Sequence, residues 1–220
     1  MFEQQPLTLQ EKVKLLATEA IKNADPSSWF DTLYDQAKGD INQVPWAKNQ
    51  PHPYLQNWLE TTKPETKEKT ALVIGCGLGD DAEILAKFGY QVIAFDISPT
   101  AINWCKQRFP DSLVSYQVAD LFALNPLWKN SFDLVYESRN IQAIPIDVRS
   151  PIINTIGSLV ADKGTLLIIT RWRDNSTIPD GPPWAISEEE LSPFQQMGLE
   201  EIQRLFFVEG EIQHLRIEYR

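Results

Sequence analysis

Apolar and polar positions divide the chain into a helical N-terminal part and a longer stretch where short apolar runs alternate with helical spacing. Leu9, Val13, Leu16, Ala17, Ala20 and Ile21 recur at helical intervals within Leu7 to Asn23, which predicts an amphipathic helix with one packed stripe. Asp25-Pro26-Ser27-Ser28 reads as a helix start, and Trp29 to Tyr34 as a second short helix. A loop punctuated by Pro45, Pro51 and Pro53 leads to a third helix, Tyr54 to Glu60. Thr61 to Lys69 is polar, contains Pro64, and is predicted to be a linker.

Beyond the linker the period changes. Leu72-Val73-Ile74, Gln91 to Phe95, Leu113 to Val118, Phe132 to Glu137 and Lys163 to Thr170 have strand character, as in a sheet covered on both faces. Asp80 to Phe88, Pro99 to Phe109 and Ile146 to Val160 are the intervening helices, which makes the strands parallel. The alternation ends in Leu199 to Val208 and Ile212 to Tyr219, separated by Glu209-Gly210-Glu211, a hairpin pattern. The expected fold is α/β: a Rossmann-like, doubly wound, mainly parallel seven-stranded sheet with a C-terminal antiparallel hairpin and an N-terminal helical cap. Residues 1–69 would form the cap and linker and residues 70–220 the cofactor-binding core, within one compact domain.

Chemistry concentrates in ALVIGCGLGDDAEILAKFGYQVIAFD, Ala71 to Asp96: strand, glycine turn, helix and a second strand ending in a carboxylate. Gly75, Gly77 and Gly79 let the backbone turn tightly around a ligand, with Cys76 inside the turn, and Asp96 stands where a carboxylate accepts from both ribose hydroxyls. In a dinucleotide fingerprint the sixth position from Gly75 is glycine; here it is Asp80, followed by Asp81. Two carboxylates oppose a pyrophosphate but suit the ammonium and sulfonium of S-adenosylmethionine. The bland alternative is an ordinary strand-to-helix turn.

These residues resemble the class I S-adenosylmethionine-dependent methyltransferases, whose first motif is similar to VIGCGLGD, Val73 to Asp80. The resemblance implies that Asp120 meets the adenine amino group, that Ile97 and Leu121 sandwich its ring, and that FDLVYE, Phe132 to Glu137, leads to the methyl-transfer site. Outside the cofactor motifs, Trp29 to Pro53, FDLVYESRNIQAIPIDVR at Phe132 to Arg149, and DGPPWAIS at Asp180 to Ser187 resemble the thiopurine, thiol and halide methyltransferase-like family. The chain departs from that family in Ala47 after the Pro45-Trp46 pair and in Ser138-Arg139-Asn140, changes that imply a more polar pocket.

The cofactor site predicted on this basis comprises Trp46, Gly75, Cys76, Gly77, Gly79, Asp80, Asp96, Ile97, Asp120, Leu121 and Glu137. Glu137 and Tyr136 are candidates to accept or relay a proton, and Arg139 to hold an anionic substrate or lower a thiol's pKa; a salt bridge with Glu137 or another carboxylate is the competing role for Arg139. Trp46 and Trp184 are candidate pocket walls, Trp29 a weaker one beside its reading as core, and Arg171 and Arg173 lie where this fold places ligand contacts.

Composition narrows the function further. With 220 residues, 43% hydrophobic, the chain can bury a substantial core, and a formal charge of −10 without a basic stripe disfavours nucleic acid. No run approaches eighteen consecutive apolar residues and the N-terminus lacks a signal-peptide pattern, so a cytoplasmic protein without membrane contact is expected. Cys76, Cys105, His52 and His214 have no metal-ligand spacing, so no metal is expected. The reading is an S-adenosylmethionine-dependent methyltransferase of a small molecule, a thiol or other soft nucleophile, working as a monomer or weak homodimer. Transfer to oxygen or nitrogen of a polar metabolite and a nonenzymatic S-adenosylmethionine-binding regulator are the alternatives. Asp80 and the terminal hairpin argue against a nicotinamide-dependent oxidoreductase.

Overall fold

A computed structural model describes residues 8–23, 25–179 and 181–220 of the chain. Helix α1, Leu9–Lys22, is started by Thr8, whose hydroxyl accepts from the Glu11 backbone while the Glu11 carboxylate accepts from Thr8, a reciprocal cap. Leu7, where the predicted helix begins, and Asp180, the first residue of the G-P-P segment, lie outside the described residues. Helix α2, Ser28–Ala37, runs a turn longer than predicted, because Leu33, Tyr34 and Ala37 continue its buried face. Helix α3, Pro53–Thr62, starts on a proline and stops at Lys63, which takes a left-handed conformation at φ 46°.

Strands β1 (Thr70–Ile74), β2 (Gln91–Asp96), β3 (Ser115–Val118), β4 (Phe132–Ser138), β5 (Val160–Arg171), β6 (Glu201–Glu209) and β7 (Ile212–Tyr219) form one sheet in the order β3-β2-β1-β4-β5-β7-β6. The pairs among β1 to β5 are parallel, and β7 runs antiparallel between β5 and β6. Helices α4 (Asp80–Lys87), α5 (Pro99–Arg108) and α6 (Arg149–Ser158) make the crossovers. The expected sheet is therefore the one observed, hairpin included.

Both sheet faces are covered, which is why the strands read as unbroken apolar runs. Leu72, Ile74, Val135, Leu166 and Ile168 face Ile152, Ile153 and Ile156 of α6. On the other side Ala71, Val73, Leu134, Leu167 and Ile169 face Leu55, Trp58 and Leu59 of α3 and Ala82 and Leu85 of α4. Helix α3 is also bonded to the far end of the chain, since buried Trp58 donates its indole N–H to Glu218 of β7 at 2.8 Å.

Further differences from expectation lie before β3, around the α6–β5 junction and after β5. Leu113 stays 92% exposed and β3 starts at Ser115, because Ser112 Oγ accepts from the Val114 amide at 3.0 Å and turns the chain there. The predicted helix Ile146 to Val160 begins with a 3-10 turn at Ile146–Val148, and Val160 already belongs to β5, paired with Phe132. Helix α7, Glu188–Gln196, follows β5 unanticipated; Ser187 and Glu190 cap it reciprocally. Among the described residues, no helix is long and apolar enough to cross a membrane.

Candidate active site

The strand order reverses between β1 and β4, so their C-terminal ends open a crevice, the place where open α/β sheets bind ligands. A cleft lies there. Its floor is Ile74, Gly75 and Asn140, one wall carries Asp96 and Ile97, another Asp120 and Leu121, and Pro26, Ser27 and Phe30 close it from the helical cap.

Gly75, Gly77 and Gly79 have φ of 54°, 54° and 90°, conformations that side chains resist. Their neighbours add a steric demand: a Cβ on Gly75 would lie 1.8 Å from the Asn140 carboxamide oxygen, and one on Gly79 would lie 2.5 Å from the Tyr116 hydroxyl oxygen. Asn140 is fixed over the turn by donating from Nδ2 to the Ile74 carbonyl at 2.7 Å.

Asp96 ends β2 with 7% of its surface exposed and accepts from the Gly77 amide at 2.9 Å and the Ser98 amide at 3.0 Å, one bond per oxygen. Each oxygen retains a lone pair for a further donor. Burial pushes its pKa up to about 6, against those two bonds. Across the cleft, Asp120 accepts from the Phe122 amide at 2.8 Å through one oxygen, while Ile97 and Leu121 present apolar walls. The cap is tied to this site by Asp31 of α2, which accepts from Ser98 Oγ at 2.6 Å and the Thr100 amide at 3.1 Å. Asp31 and Phe30 carry no signal in the sequence, since they sit on the polar and apolar faces of an ordinary-looking helix, and Asn140 stands out there only as part of the polar run Ser138-Arg139-Asn140.

Other predicted site residues have different surroundings. Arg108 grips both oxygens of Asp80 at 2.8 and 2.9 Å, so the charge expected to face an ammonium or sulfonium is already matched by a guanidinium. Asp81 accepts from the His52 amide at 2.6 Å and the Tyr136 hydroxyl at 2.9 Å, and burial pushes its pKa up to about 6. Tyr136 is thus spent on the opposite face of β4 from Glu137, away from the cleft. Glu137 is wholly buried: Oε1 accepts from the Asn140 and Ile141 amides at 2.5 and 3.0 Å, and Oε2 has no partner. Burial pushes its pKa up to about 7. It braces the turn beneath the cleft rather than facing a substrate. The Cys76 side chain packs on the α3–α4 side of the sheet, with its thiol pKa raised by the neighbouring Cys105 thiol and by burial.

Trp29 is not a pocket wall; it is buried against Ala17 and Ala20 of α1. Trp46 is half-buried, edge-on to Phe30 at 5.9 Å, and donates its indole N–H to Tyr34 at 2.7 Å. Trp184 is half-buried in a segment bolted down by its own backbone: its amide donates to the Gln142 carbonyl at 2.7 Å and its carbonyl accepts from Arg149 at 2.9 Å. Arg173 pairs with Glu190 at 2.7 Å. Arg139 adopts φ 68°, makes its salt bridge with another carboxylate, Glu209, at 2.5 Å, and stands near Arg171 at the C-terminal end of β5.

The arrangement fits S-adenosylmethionine: a tight turn in which Gly75 and Gly79 have no room for a side chain, a buried carboxylate with spare lone pairs, and an apolar slot with a second carboxylate at its rim. Comparison with known proteins points the same way. Relatives include a thiopurine S-methyltransferase of Aliivibrio salmonicida, 25% identical over 206 residues, covering 86% of this chain and 93% of that protein. A probable thiol methyltransferase of Arabidopsis thaliana is 29% identical over 156 residues, covering 69% of this chain and 66% of that protein. Among solved structures, an N-methyltransferase of Bradyrhizobium japonicum in complex with S-adenosylhomocysteine superposes with a TM-score of 0.66 at 20% identity, covering 86% of this chain and 98% of that one. Magnesium protoporphyrin IX methyltransferase of Synechocystis superposes with a TM-score of 0.66 at 16% identity, covering 91% and 98%. The profile of the thiopurine S-methyltransferase family matches residues 31–216, from within α2 into β7, so the chain belongs to that family and is an S-adenosylmethionine-dependent methyltransferase.

Proposed function

We propose that the protein methylates the sulfur of a small thiol or a related soft nucleophile. Asp96 would accept from the ribose hydroxyls, the second oxygen of Asp120 from the adenine amino group, and Ile97 and Leu121 would hold the adenine faces. The turn Gly75 to Gly79 would carry the amino-acid end. When bound, the cofactor supplies a methyl carbon made electrophilic by its sulfonium sulfur.

The observation that carries the acceptor half is the family match over residues 31–216, which takes in most of α2 and all of α3 together with the sheet. The chain's own contribution to transfer is positioning and exclusion of water. Neither Tyr136 nor Glu137 is placed to take a proton from an acceptor, since both are buried and the Tyr136 hydroxyl is engaged. A thiol with a pKa near ~8.5 supplies thiolate near neutral pH without a protein base, its proton going to solvent. The thiolate then forms the new carbon–sulfur bond in line with the one that breaks, and the bonding electron pair stays on the departing sulfur. The same proposal takes the acceptor alone as partner, without nucleic acid or membrane, and the chain as a cytoplasmic monomer or weak homodimer. Transfer to oxygen or nitrogen of a polar metabolite is the second reading, favoured by the charged edge around Arg139 and Arg171.

S-Adenosylhomocysteine formation against thiols, thiopurines, halides, phenols and amines tests this. Selective turnover of a sulfur nucleophile is expected. Turnover confined to phenols or amines would move the assignment to the second reading.

A further inference from the structure

The C-terminal edges of β4 and β5 meet the β6–β7 hairpin and the start of α3 in a charged cluster outside the cofactor cleft. Glu209, at the end of β6, takes the Arg139 guanidinium at 2.5 Å and lies 3.6 Å from His52 Nε2 and 3.8 Å from His214 Nε2. Arg139 Nε is buried without a partner. Arg171, the last residue of β5, is half-buried, and its guanidinium makes no hydrogen bond or ion pair among the described residues. Its surroundings include the like charge of Arg139 as well as Glu209.

The histidines add no compensating charge of either sign near neutral pH, since burial holds His52 down to about 4 and also lowers His214. Arg139 is ion-paired to Glu209 and also lies near the Asp81 carboxylate, which leaves Arg171 as the guanidinium without a carboxylate partner of its own among the described residues. A half-buried cation facing another cation without its own counter-ion is costly unless an anion completes the set. The cluster is also adjacent to the transfer site. Arg139 immediately precedes Asn140, whose carboxamide covers the cofactor turn, and the Arg139 amide donates to the Ile169 carbonyl at 2.9 Å, fixing the residue at the β4–β5 edge. Aromatic surface is at hand, with Tyr54 and Phe207 stacked at 3.6 Å and Phe207 stacked on His214 at 5.3 Å.

We infer that Arg171, together with Arg139, binds the anionic group of the methyl acceptor, a soft nucleophile carrying a carboxylate, and that Glu209 is the internal carboxylate competing for the same cations. This rests on the proposed transfer to small-molecule sulfur. Glu209 suits the competing role because it sits at a hairpin end with 37% of its side chain exposed, free to swing aside. Arginine suits the binding role because its planar fork matches a carboxylate.

The experiment compares kcat/KM for para-mercaptobenzoate and benzenethiol, which differ by the carboxylate, in the wild type, Arg171→Gln and Glu209→Gln. The wild type should favour the carboxylate-bearing thiol by about tenfold or more, as a charge-assisted pair implies. Arg171→Gln should collapse that ratio through KM, and Glu209→Gln should raise it, an increase that a merely structural Glu209 would not produce. Equal kcat/KM for the two thiols, or a ratio untouched by Arg171→Gln, would overturn the inference. If neither thiol turns over, the sulfur reading fails separately, and calorimetric binding of para-mercaptobenzoate to the S-adenosylhomocysteine complex decides the anion site. Binding that needs Arg171 supports the site; undetectable or Arg171-independent binding overturns it.

Discussion

Glu137 gives the most demanding test of the site's electrostatics, because its carboxyl is wholly buried with one oxygen unpartnered and its pKa is pushed by burial from 4.5 up to about 7. The sign follows from proton linkage. Between pH 4.5 and about 7 the folded chain holds a proton on Glu137 that the unfolded chain has released, so stability falls as pH rises through this window and levels off above it. At about 1.4 kcal/mol per pH unit, the full loss from this one group is about 3 kcal/mol. Glu137→Gln removes the titration while keeping a carbonyl oxygen for the Asn140 and Ile141 amides. Asp81 and Asp96 also have raised pKa values and titrate in both proteins, so the difference between variant and wild type isolates Glu137. Urea unfolding from pH 4.5 to 8.5 should show the variant gaining on the wild type by about 3 kcal/mol across the range, with m unchanged. A difference that stays constant with pH, or that shrinks as pH rises, would refute the burial argument and imply that Oε2 is solvated or paired.

Two further outcomes follow from the same geometry. Asp96→Ala should weaken S-adenosylhomocysteine binding by about 2 to 4 kcal/mol, through loss of charge-assisted acceptors, and wild-type affinity should fall about tenfold per pH unit below the Asp96 pKa near 6. Calorimetry between pH 5 and 8 checks both, and affinity indifferent to the substitution would remove Asp96 from the ribose role. Arg149→Met should cost about 3 to 5 kcal/mol and lower the thermal midpoint by roughly 6–15 °C, because this buried guanidinium holds Glu190 and the Ile144 and Trp184 carbonyls at once. A midpoint within a degree or two of wild type would mean that the Trp184 amide bond to Gln142 holds the segment unaided.

What could be read from the sequence was local or periodic. Strands buried on both faces leave continuous apolar runs, and the cofactor turn shows itself because glycines at positive φ and a strand-end carboxylate lie within one short segment. The surroundings of the candidate site residues depended on partners distant in the chain. Asp80 looks free until Arg108 returns from the end of α5 to occupy it, and Arg139 is matched to Glu209 and His52 through three separate segments. One signal was present and unused: the two-residue period of β4 puts Tyr136 and Glu137 on opposite faces, so the two could not both face one acceptor. Extending that period to Arg139 would in turn mislead, placing it beside Glu137. The backbone instead turns left-handed at Arg139, with φ 68°, and the side chain pairs with the β6–β7 hairpin. That reversal separates the cofactor cleft from the cation pair at the β5 edge. It also sets which charges meet there: the left-handed turn carries the Arg139 guanidinium to Glu209 of the β6–β7 hairpin instead of leaving it beside Glu137.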